Sequence, residues 1–325
     1  MFFGCKNLKE LDVSNFDTSN VTSMGGYDSG MFEGCASLTK LNLSNFDTSK
    51  VTSMNSMFKG CSSLTSLDLS NFDTSNVTIM ANMFNGCSSL TELDLSNFNT
   101  SKVTNIGRMF TGCKTLTKLD VSSFDTSSVL SMDHTFEDCI SLTSLDISSF
   151  DTSNVDNMTY MFGGCSSLLD LDLSSFNTSK TYNMQGMFQG CRSLTKLDLS
   201  SFDTSSVTNM TSMFQTCTGL TEIDLSSFNT QSVTSIAFMF AGCSSLTDLD
   251  LSSFDTSKVT TTRETFSGCR NLVKLDMRNA DFSSVNNYTI MFANTPSNLL
   301  IYVKDSAAKE WLTSRFTNLT NIIIP

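Results

Sequence analysis

Cysteine is the residue of this 325-residue chain best suited to redox or metal chemistry, and it recurs at a nearly constant interval. The eleven cysteines are Cys5, Cys35, Cys61, Cys87, Cys113, Cys139, Cys165, Cys191, Cys217, Cys243 and Cys269. A chain of disulfides is disfavoured by the odd number and by parallel side-chain directions in a stack. A metal site needs converging ligands, whereas this column offers one Cys per repeat and no His. The spacing therefore predicts buried thiols that pack as small apolar groups.

Aspartates recur with the same 26-residue period in two further columns. The first column is Asp12, Asp68, Asp94, Asp120, Asp146, Asp172, Asp198, Asp224, Asp250 and Asp276, with Asn42 as its exception. Carboxylates stacked about 5 Å apart repel by roughly 1–3 kcal/mol per pair, so something must offset them. A solvated charged face, a recognition face and a weak divalent-cation ladder all fit this column. In the second column, Asp73 and its equivalents are sometimes Asn, which keeps a turn hydrogen bond without the charge, so turn capping is predicted there.

Mostly charged residues stand two positions before the first aspartate column, and their signs mostly alternate. They run Glu10, Lys40, Ser66, Glu92, Lys118, Ser144, Asp170, Lys196, Glu222, Asp248 and Lys274. On one face of a parallel sheet this order predicts cross-strand pairs such as Glu92 with Lys118 and Asp248 with Lys274. The candidate binding face consists of Lys40, Ser66, Asp68, Glu92, Asp94, Lys118, Asp120, Asp146, Asp170, Asp172, Lys196 and Asp198.

The single histidine, His134, is the remaining candidate for acid–base chemistry. It stands among variable residues and has no Ser or Cys nucleophile that its position could activate. We therefore expect neither a catalytic dyad nor a cofactor, and we predict that the chain is not an enzyme.

The elements that position these columns can be followed in residues 57–82, one copy of the repeat. Leu64, Leu67 and Leu69 have the spacing of a short strand, with Leu67 and Leu69 inward and the residues between them outward. Residues 70–75 are rich in Asn, Asp, Ser and Thr and predict a turn, with Phe72 inward. Residues 77–80 predict a second extended piece, and residues 57–61 a tight helical or 3₁₀ corner.

One such rung cannot fold alone, because its inward side chains do not offset the entropy of ordering 26 residues, so neighbouring rungs must stack. The predicted fold is a β-rich solenoid, a leucine-rich-repeat-like stack of about 11–12 rungs with parallel sheet columns and short corners. We expect one solenoid over residues 1–295, with a truncated first rung and a loop insertion at 25–30. A C-terminal cap over 296–325 should contain a strand at 301–303, a helix N-capped by Asp305 or Ser306, and a strand at 322–324.

The spacing Phe58-x-x-Cys61-x-x-Leu64-x-x-Leu67-x-Leu69 resembles the BspA-like class of leucine-rich repeats. The fuller pattern MFxGCxSLTxLDLSxFDTSxVTxM is similar to the bacterial surface-protein repeat of gut bacteria, mycoplasmas and some protists. It differs from ordinary leucine-rich repeats in placing a Phe where their buried Asn would sit. The resemblance implies a surface or secreted adhesin-like protein that binds other proteins, ending in an IYVxD…W cap.

Composition limits the classes of partner that the chain could bind. The net charge of −12, with few clusters of Lys and Arg, disfavours binding to nucleic acid or anionic membranes. No apolar run reaches 18 residues, so membrane insertion is not expected. The chain opens with MFFGC, the middle of a repeat rather than a signal peptide, and we expect it to be a segment of a longer protein. A protein partner is predicted; the alternative is a structural spacer or stalk with no ligand of its own.

Overall fold

The computed structural model describes residues 1–26 and 29–325. The chain forms two compact units, Met1–Ser175 and Phe176–Pro325, which are described separately. The first unit contains strands β1 (Ser23–Gly25), β2 (Ser53–Met54), β3 (Glu92–Leu93) and β4 (Lys118–Leu119). The second contains β5 (Asp248–Asp250), β6 (Lys274–Met277), β7 (Leu300–Val303), helix α1 (Ser306–Arg315) and β8 (Asn321–Ile323). Both units are parallel β-solenoids with almost no helix, as the repeat predicts.

One ladder of the solenoid is the predicted sheet column. In the first unit β3 pairs with β4 in parallel, with Glu92 opposite Lys118. In the second unit the sheet order is β5-β6-β7-β8, and Asp248 lies opposite Lys274. The register predicted for both pairs is confirmed. It follows from the alternation of the strand, because a shift by one residue would turn the buried leucines to solvent.

A second parallel ladder follows the piece predicted at residues 77–80. In the first unit, β1 and β2 begin this ladder, and Ile79 then bridges to Ser53 and to Asn105. In the second unit, Asn209 bridges to Asn183 and to Ser235. Each bridge joins residues one repeat apart, so this ladder links successive rungs within each unit.

The core consists of apolar columns, of which the phenylalanine column is the most regular. The ring of Phe58 stacks on those of Phe32 and Phe84 at centroid distances of 5.7 and 5.8 Å, with interplanar angles below 10°. The Met57, Phe58 and Cys61 side chains are fully buried. The inward set predicted for the rung is confirmed.

Buried threonine hydroxyls join successive rungs beside the second aspartate column. The Thr48 hydroxyl donates to the Asp73 carbonyl at 2.9 Å and accepts from the Asp73 N–H at 2.8 Å. Thr74 repeats the contact with Asn99 at 3.0 and 2.8 Å. These polar side chains are retained in the core because each one satisfies two backbone groups of the next rung.

The corner at residues 54–61 is a succession of single turns. The Lys59 N–H donates to the Ser56 carbonyl at 3.1 Å, and the Cys61 N–H to the Phe58 carbonyl at 3.0 Å. In this corner and those that follow it, two residues take the left-handed conformation, here Ser56 (φ 58°) and Gly60 (φ 73°). These left-handed positions explain why the predicted helical or 3₁₀ corner is limited to isolated turns.

The insertion predicted at 25–30 leaves and rejoins the rung through an antiparallel bridge between Gly25 and Gly30. Tyr27 and Asp28, which belong to that prediction, lie outside the described residues. Glycine is required at Gly25, because a Cβ there would overlap the Asn55 carbonyl.

The C-terminal segment of the second unit contains the expected strand, helix and strand. Asp305 is the N-cap of α1 and accepts a hydrogen bond from the Ala308 N–H at 2.9 Å. The last rung places Phe282 at the threonine site, where its ring stacks on Trp311 at 4.5 Å. The departure from the repeat therefore anchors the helix. No helix in the described part of the chain is long and apolar enough to cross a membrane. The boundary predicted between a solenoid over 1–295 and a cap over 296–325 stays a prediction.

Candidate functional site

The strand pattern places the predicted binding face on the outside of the sheet column. Leu67 and Leu69 are buried, while Ser66 and Asp68 are exposed. The twelve candidates are all exposed: Lys40, Ser66, Asp68, Glu92, Asp94, Lys118, Asp120, Asp146, Asp170, Asp172, Lys196 and Asp198.

In the first unit, part of this face forms an open depression of about 500 Å³. Its lining includes six of the candidates: Ser66, Asp68, Glu92, Asp94, Lys118 and Asp120. Lys40, Asp146, Asp170 and Asp172 lie in the same unit but outside this lining, and Lys196 and Asp198 belong to the second unit. We call the six lining residues the sheet-face depression.

The aspartates of the first column cap local turns. The Asp68 carboxylate accepts the N–H of Ser70 at 3.0 Å, and Asp94 accepts that of Ser96 at 3.0 Å. From the sequence, capping was predicted for the second column only. The signal that would have found it is the shared Asp-x-Ser spacing, as in residues 68–70 and 73–75. Both columns therefore have a structural role in the turns.

The same hydrogen bonds keep the exposed carboxylates ionised. The N–H and hydroxyl of Ser96 lower the pKa of Asp94, and the nearby positive charge of Lys118 lowers it further against the opposing charge of Asp120. The hydrogen bonds of Ser70 likewise lower the pKa of Asp68. The repulsion between stacked carboxylates is therefore offset mainly by local hydrogen bonds, with Lys118 as a secondary contribution.

Lys118 does not form a close ion pair with Glu92. Among the described residues, the ion pairs within 4.0 Å include neither Glu92 with Lys118 nor Asp248 with Lys274. The ammonium of Lys274 instead lies 5.6 Å from the ring centroid of Tyr302. The cross-strand pairs are in register, but their charged groups do not form ion pairs.

The described residues include no group of three or more His, Cys, Asp or Glu side chains placed to hold a metal ion. The aspartate column thus gives no structural support to a cation ladder. Its members are one rung apart, and each has an oxygen engaged by its own turn, as Asp68 and Asp94 are.

The cysteine column is a ladder of thiols. Ten of the eleven are buried and none is in a disulfide; the burial prediction is wrong for Cys5, which is exposed because no preceding rung of the described chain covers it. The Cys61 thiol donates to the Phe32 carbonyl at 3.1 Å, and Cys87 to Phe58 at 3.1 Å. Burial raises the pKa of Cys61 to about 12. Thiols held in this way are poor nucleophiles and poor metal ligands.

His134 lies at a corner of the first unit. Its Nδ1 is 2.8 Å from the Glu137 carboxylate, and its ring stacks on Tyr160 with centroids 5.1 Å apart. The Thr111 hydroxyl donates to the backbone carbonyl of His134 at 2.6 Å, so it does not contact the imidazole as a nucleophile would. Sequence reasoning set this corner aside, although it is where the rung departs most from its own pattern.

Solved structures with detectable similarity include bacterial leucine-rich repeat proteins. One from Bacteroides ovatus is 16% identical over 83% of this chain and 68% of its own, with a TM-score of 0.37. The functional domain of InlJ from Listeria monocytogenes is 21% identical over 86% of this chain and 66% of its own, with a TM-score of 0.24. A leucine-rich repeat protein from Leptospira interrogans is 14% identical over 88% and 81%, with a TM-score of 0.25.

None of the curated proteins matches the chain. A family model does match, in three consecutive stretches at residues 1–94, 87–197 and 183–300, and its description is "Mycoplasma protein of unknown function, DUF285". Together these stretches cover residues 1–300, and the chain therefore belongs to the DUF285 family.

Proposed function

We propose that this chain is a non-catalytic protein-interaction module whose sheet face binds a positively charged surface of another protein. The BspA-like resemblance adds that it works at a cell surface or after secretion, in an adhesin-like role. The observation that supports this proposal most is the sheet-face depression, in which six exposed polar or charged side chains from three successive rungs surround one open volume of about 500 Å³.

The electrostatics of the depression favour a cationic partner. Asp68, Asp94 and Asp120 are kept ionised by hydrogen bonds from their own turns, and Glu92 adds a fourth carboxylate. Lysine or arginine side chains of a partner would form charge-assisted hydrogen bonds with them. Lys118 places one positive charge among four negative ones, which favours a partner docked in one register.

The test is binding to purified extracellular-matrix and host-cell surface proteins, followed by charge reversal in the depression. Ser66→Lys with Glu92→Lys changes charge at positions that do not cap turns, so the fold is retained. We expect affinity to fall at least tenfold, chiefly through the association rate. The matched control, Glu222→Lys with Asp248→Lys, alters the same column in the second unit and should retain binding. Equal affinity of the depression variant and the native chain would reject this surface.

A spacer or stalk is the second candidate, and the turn-capping role of the aspartates favours it, because a charged column with a structural use needs no ligand. Deleting whole 26-residue rungs separates the two. A spacer loses function in proportion to the rungs removed, wherever they lie. A binder loses it when residues 66–120 are affected and keeps it when equal lengths are removed elsewhere.

A further inference from the structure

The two left-handed positions of each corner are occupied by different rules. One position, the Gly60 site, is glycine in most rungs, and glycine adopts positive φ without strain. The other, here called the corner column, lies four residues earlier and has φ between 48° and 61°. It comprises Ser56, Asn82, Arg108, His134, Tyr160, Gly186, Ser212, Phe238, Glu264 and Ile290.

A left-handed backbone costs a residue with a Cβ about 1–2 kcal/mol. The corner column bears this cost in nine of ten rungs, with arginine, imidazole, phenol, phenyl, carboxylate and branched aliphatic side chains. The first aspartate column of the sheet face changes in one rung only, at Asn42, whereas the corner column is almost never the same twice. Ser56 and Ser212 are buried, but the other non-glycine members reach solvent at least in part. For these members, strain retained together with chemical variety indicates side chains kept for what they contact outside the fold.

In the first unit, three successive rungs of this column bring charged and aromatic groups together. The Arg108 guanidinium pairs with Asp133 at 3.2 Å, and Glu137 is 2.8 Å from the His134 ring, which stacks on Tyr160. The Glu137 side chain is 27% exposed, so its charge is less screened than those of the sheet face.

Two residues near the His134 and Tyr160 rings, Asp138 and Gly163, depart from what other rungs have or leave space for these side chains. Asp138 occupies the glycine site of its rung with φ 56°, and its carboxylate lies beside Gly164, where any Cβ would displace it. Gly163 leaves room for the Tyr160 ring, since a Cβ there would approach the ring to 3.0 Å. Two carboxylates therefore accompany the pair of stacked rings.

In the second unit, a guanidinium of the chain itself lies at such a corner. Arg263 lies 5.1 Å from the ring centroid of Phe238, a corner-column residue, and 3.2 Å from the carboxylate of Glu264. Arg263 stands 25 positions after Phe238, and the residue 25 positions after His134 is Thr159. The first unit thus has rings and carboxylates at the equivalent corner but a hydroxyl where the second unit supplies its guanidinium.

We propose that His134, Glu137, Asp138 and Tyr160 form a binding site for an arginine side chain presented by a partner protein. A planar guanidinium packs against aromatic rings while its N–H groups pair with carboxylates, a combination that the ammonium of lysine does not reproduce. Glu137 contacts His134 through one oxygen and has further acceptor capacity, and Asp138 supplies a second carboxylate. The site shares no residue with the sheet-face depression and does not rest on it.

His134 is the one histidine in the chain, so its imidazole NMR signals need no assignment among several. The probe is the peptide acetyl-Gly-Arg-Gly-amide, titrated at fixed pH and ionic strength, with acetyl-Gly-Lys-Gly-amide as the matched comparison. We expect saturable shifts of the His134 signals with the arginine peptide and at least fivefold weaker binding of the lysine peptide. Absence of a saturable arginine-dependent shift, or equal binding of both peptides, overturns the proposal.

Two variants test the residues. Glu137→Gln with Asp138→Asn should weaken arginine binding at least tenfold, and Asn tolerates the left-handed backbone of position 138. Tyr160→Asn, which keeps a residue suited to positive φ, should weaken it independently. The sheet-face variant Ser66→Lys with Glu92→Lys should bind the arginine peptide as the native chain does, whatever becomes of the proposed sheet-face function. Native-like arginine binding by both corner variants, with melting temperatures showing that they are folded, contradicts the assignment.

Discussion

In the first unit the aspartates of the sheet face are exposed, whereas the corner column ranges from the buried Ser56 to the exposed Arg108. The repeat treats the two in opposite ways. On the sheet face Asp68, Asp94 and Asp120 are identical, and each accepts a hydrogen bond from its own turn. In the corner column, consecutive rungs carry different residues, Arg108 and His134, and both have a left-handed backbone conformation that is strained for a residue with a Cβ.

The difference separates columns whose side chains stabilise the fold from columns whose side chains the fold merely tolerates. A column is uniform where every rung needs the same contact, as in the Asp-x-Ser turns and the buried Thr and Cys ladders. A column varies where the fold gains nothing from the side chain. Exposure alone therefore does not locate a binding surface in this chain; the combination of exposure, variety and strain is more informative.

The largest effect should come from the most deeply buried uniform column, the thiols. Burial raises the pKa of Cys113 and Cys165 to about 12, whereas a thiol in the unfolded chain ionises near 8.5. The buried, protonated thiols therefore contribute fully to the free energy of unfolding below about pH 8.5, and this contribution is lost as the pH rises toward 12. We expect the urea midpoint to fall steeply between pH 8.5 and 10.5, because ten buried thiols act together.

Removing thiols should flatten that dependence. Cys113→Ala with Cys139→Ala is less stable at pH 7 but should lose less stability between pH 7 and 10.5. Cys5→Ala, at the exposed end of the column, is the control and should keep the native slope. An alkaline slope that is the same in all three proteins would mean that other groups cause it.

The next effect concerns a uniform polar column. Thr74→Val should lower the free energy of unfolding by about 2–4 kcal/mol, because two backbone groups of Asn99 lose their buried partner at about 1–3 kcal/mol each. Thr78→Val is the matched control: the same exchange in the exposed threonine column should change stability by no more than about 0.5 kcal/mol. The measurement is urea unfolding. Similar losses of unfolding free energy at both positions would contradict the distinction between columns that stabilise the fold and columns that it tolerates.

Much of the fold could be predicted because a repeat with one inward set has few ways to stack. The alternation at Leu67 and Leu69 gave the sheet column, and the pairing of Glu92 with Lys118 followed from the period. The left-handed conformation of Ser56 could not be predicted. Its site carries almost any residue from rung to rung, so the sequence contains no glycine signal there, unlike at Gly60.

The candidate site was predicted only in part. The exposure of the sheet face followed from the strand period, but the gathering of six residues around one depression depends on side-chain placement. His134 was considered only as a catalytic base. Its pairing with Tyr160 depends on the corner geometry, which brings residues 26 apart into ring contact. A search for columns that vary against a uniform background would have found it.

A sharper comparison uses two left-handed positions of the second unit. Ile290 is 51% exposed at φ 48°, and Gly268 has φ 77°. Ile290→Asn should raise the free energy of unfolding by about 1 kcal/mol, because Asn tolerates the left-handed region that a branched side chain resists. Gly268→Ala should lower it by about 1 kcal/mol, since the added Cβ meets only ordinary contacts and the loss comes from the backbone. A fall in stability for Ile290→Asn would show that the fold uses this side chain after all.

The smallest effect should distinguish the two roles of the sheet-face carboxylates. The pKa values of Asp68, Asp94, Asp120 and Asp146 are lowered by hydrogen bonds from the serines of their turns. Their contribution is present above the ordinary Asp pKa of about 3.9 and is lost as the pH falls through the lowered values. Replacing all four by Asn keeps the turn acceptor, so melting temperature at pH 7 should change little and its fall between pH 5 and 3 should be shallower. Replacing them by Ala removes the acceptor and should lower the melting temperature at pH 7 as well. If the Ala protein melts like the Asn protein at pH 7, the turns do not need these side chains, and the turns would no longer explain why the column is uniform.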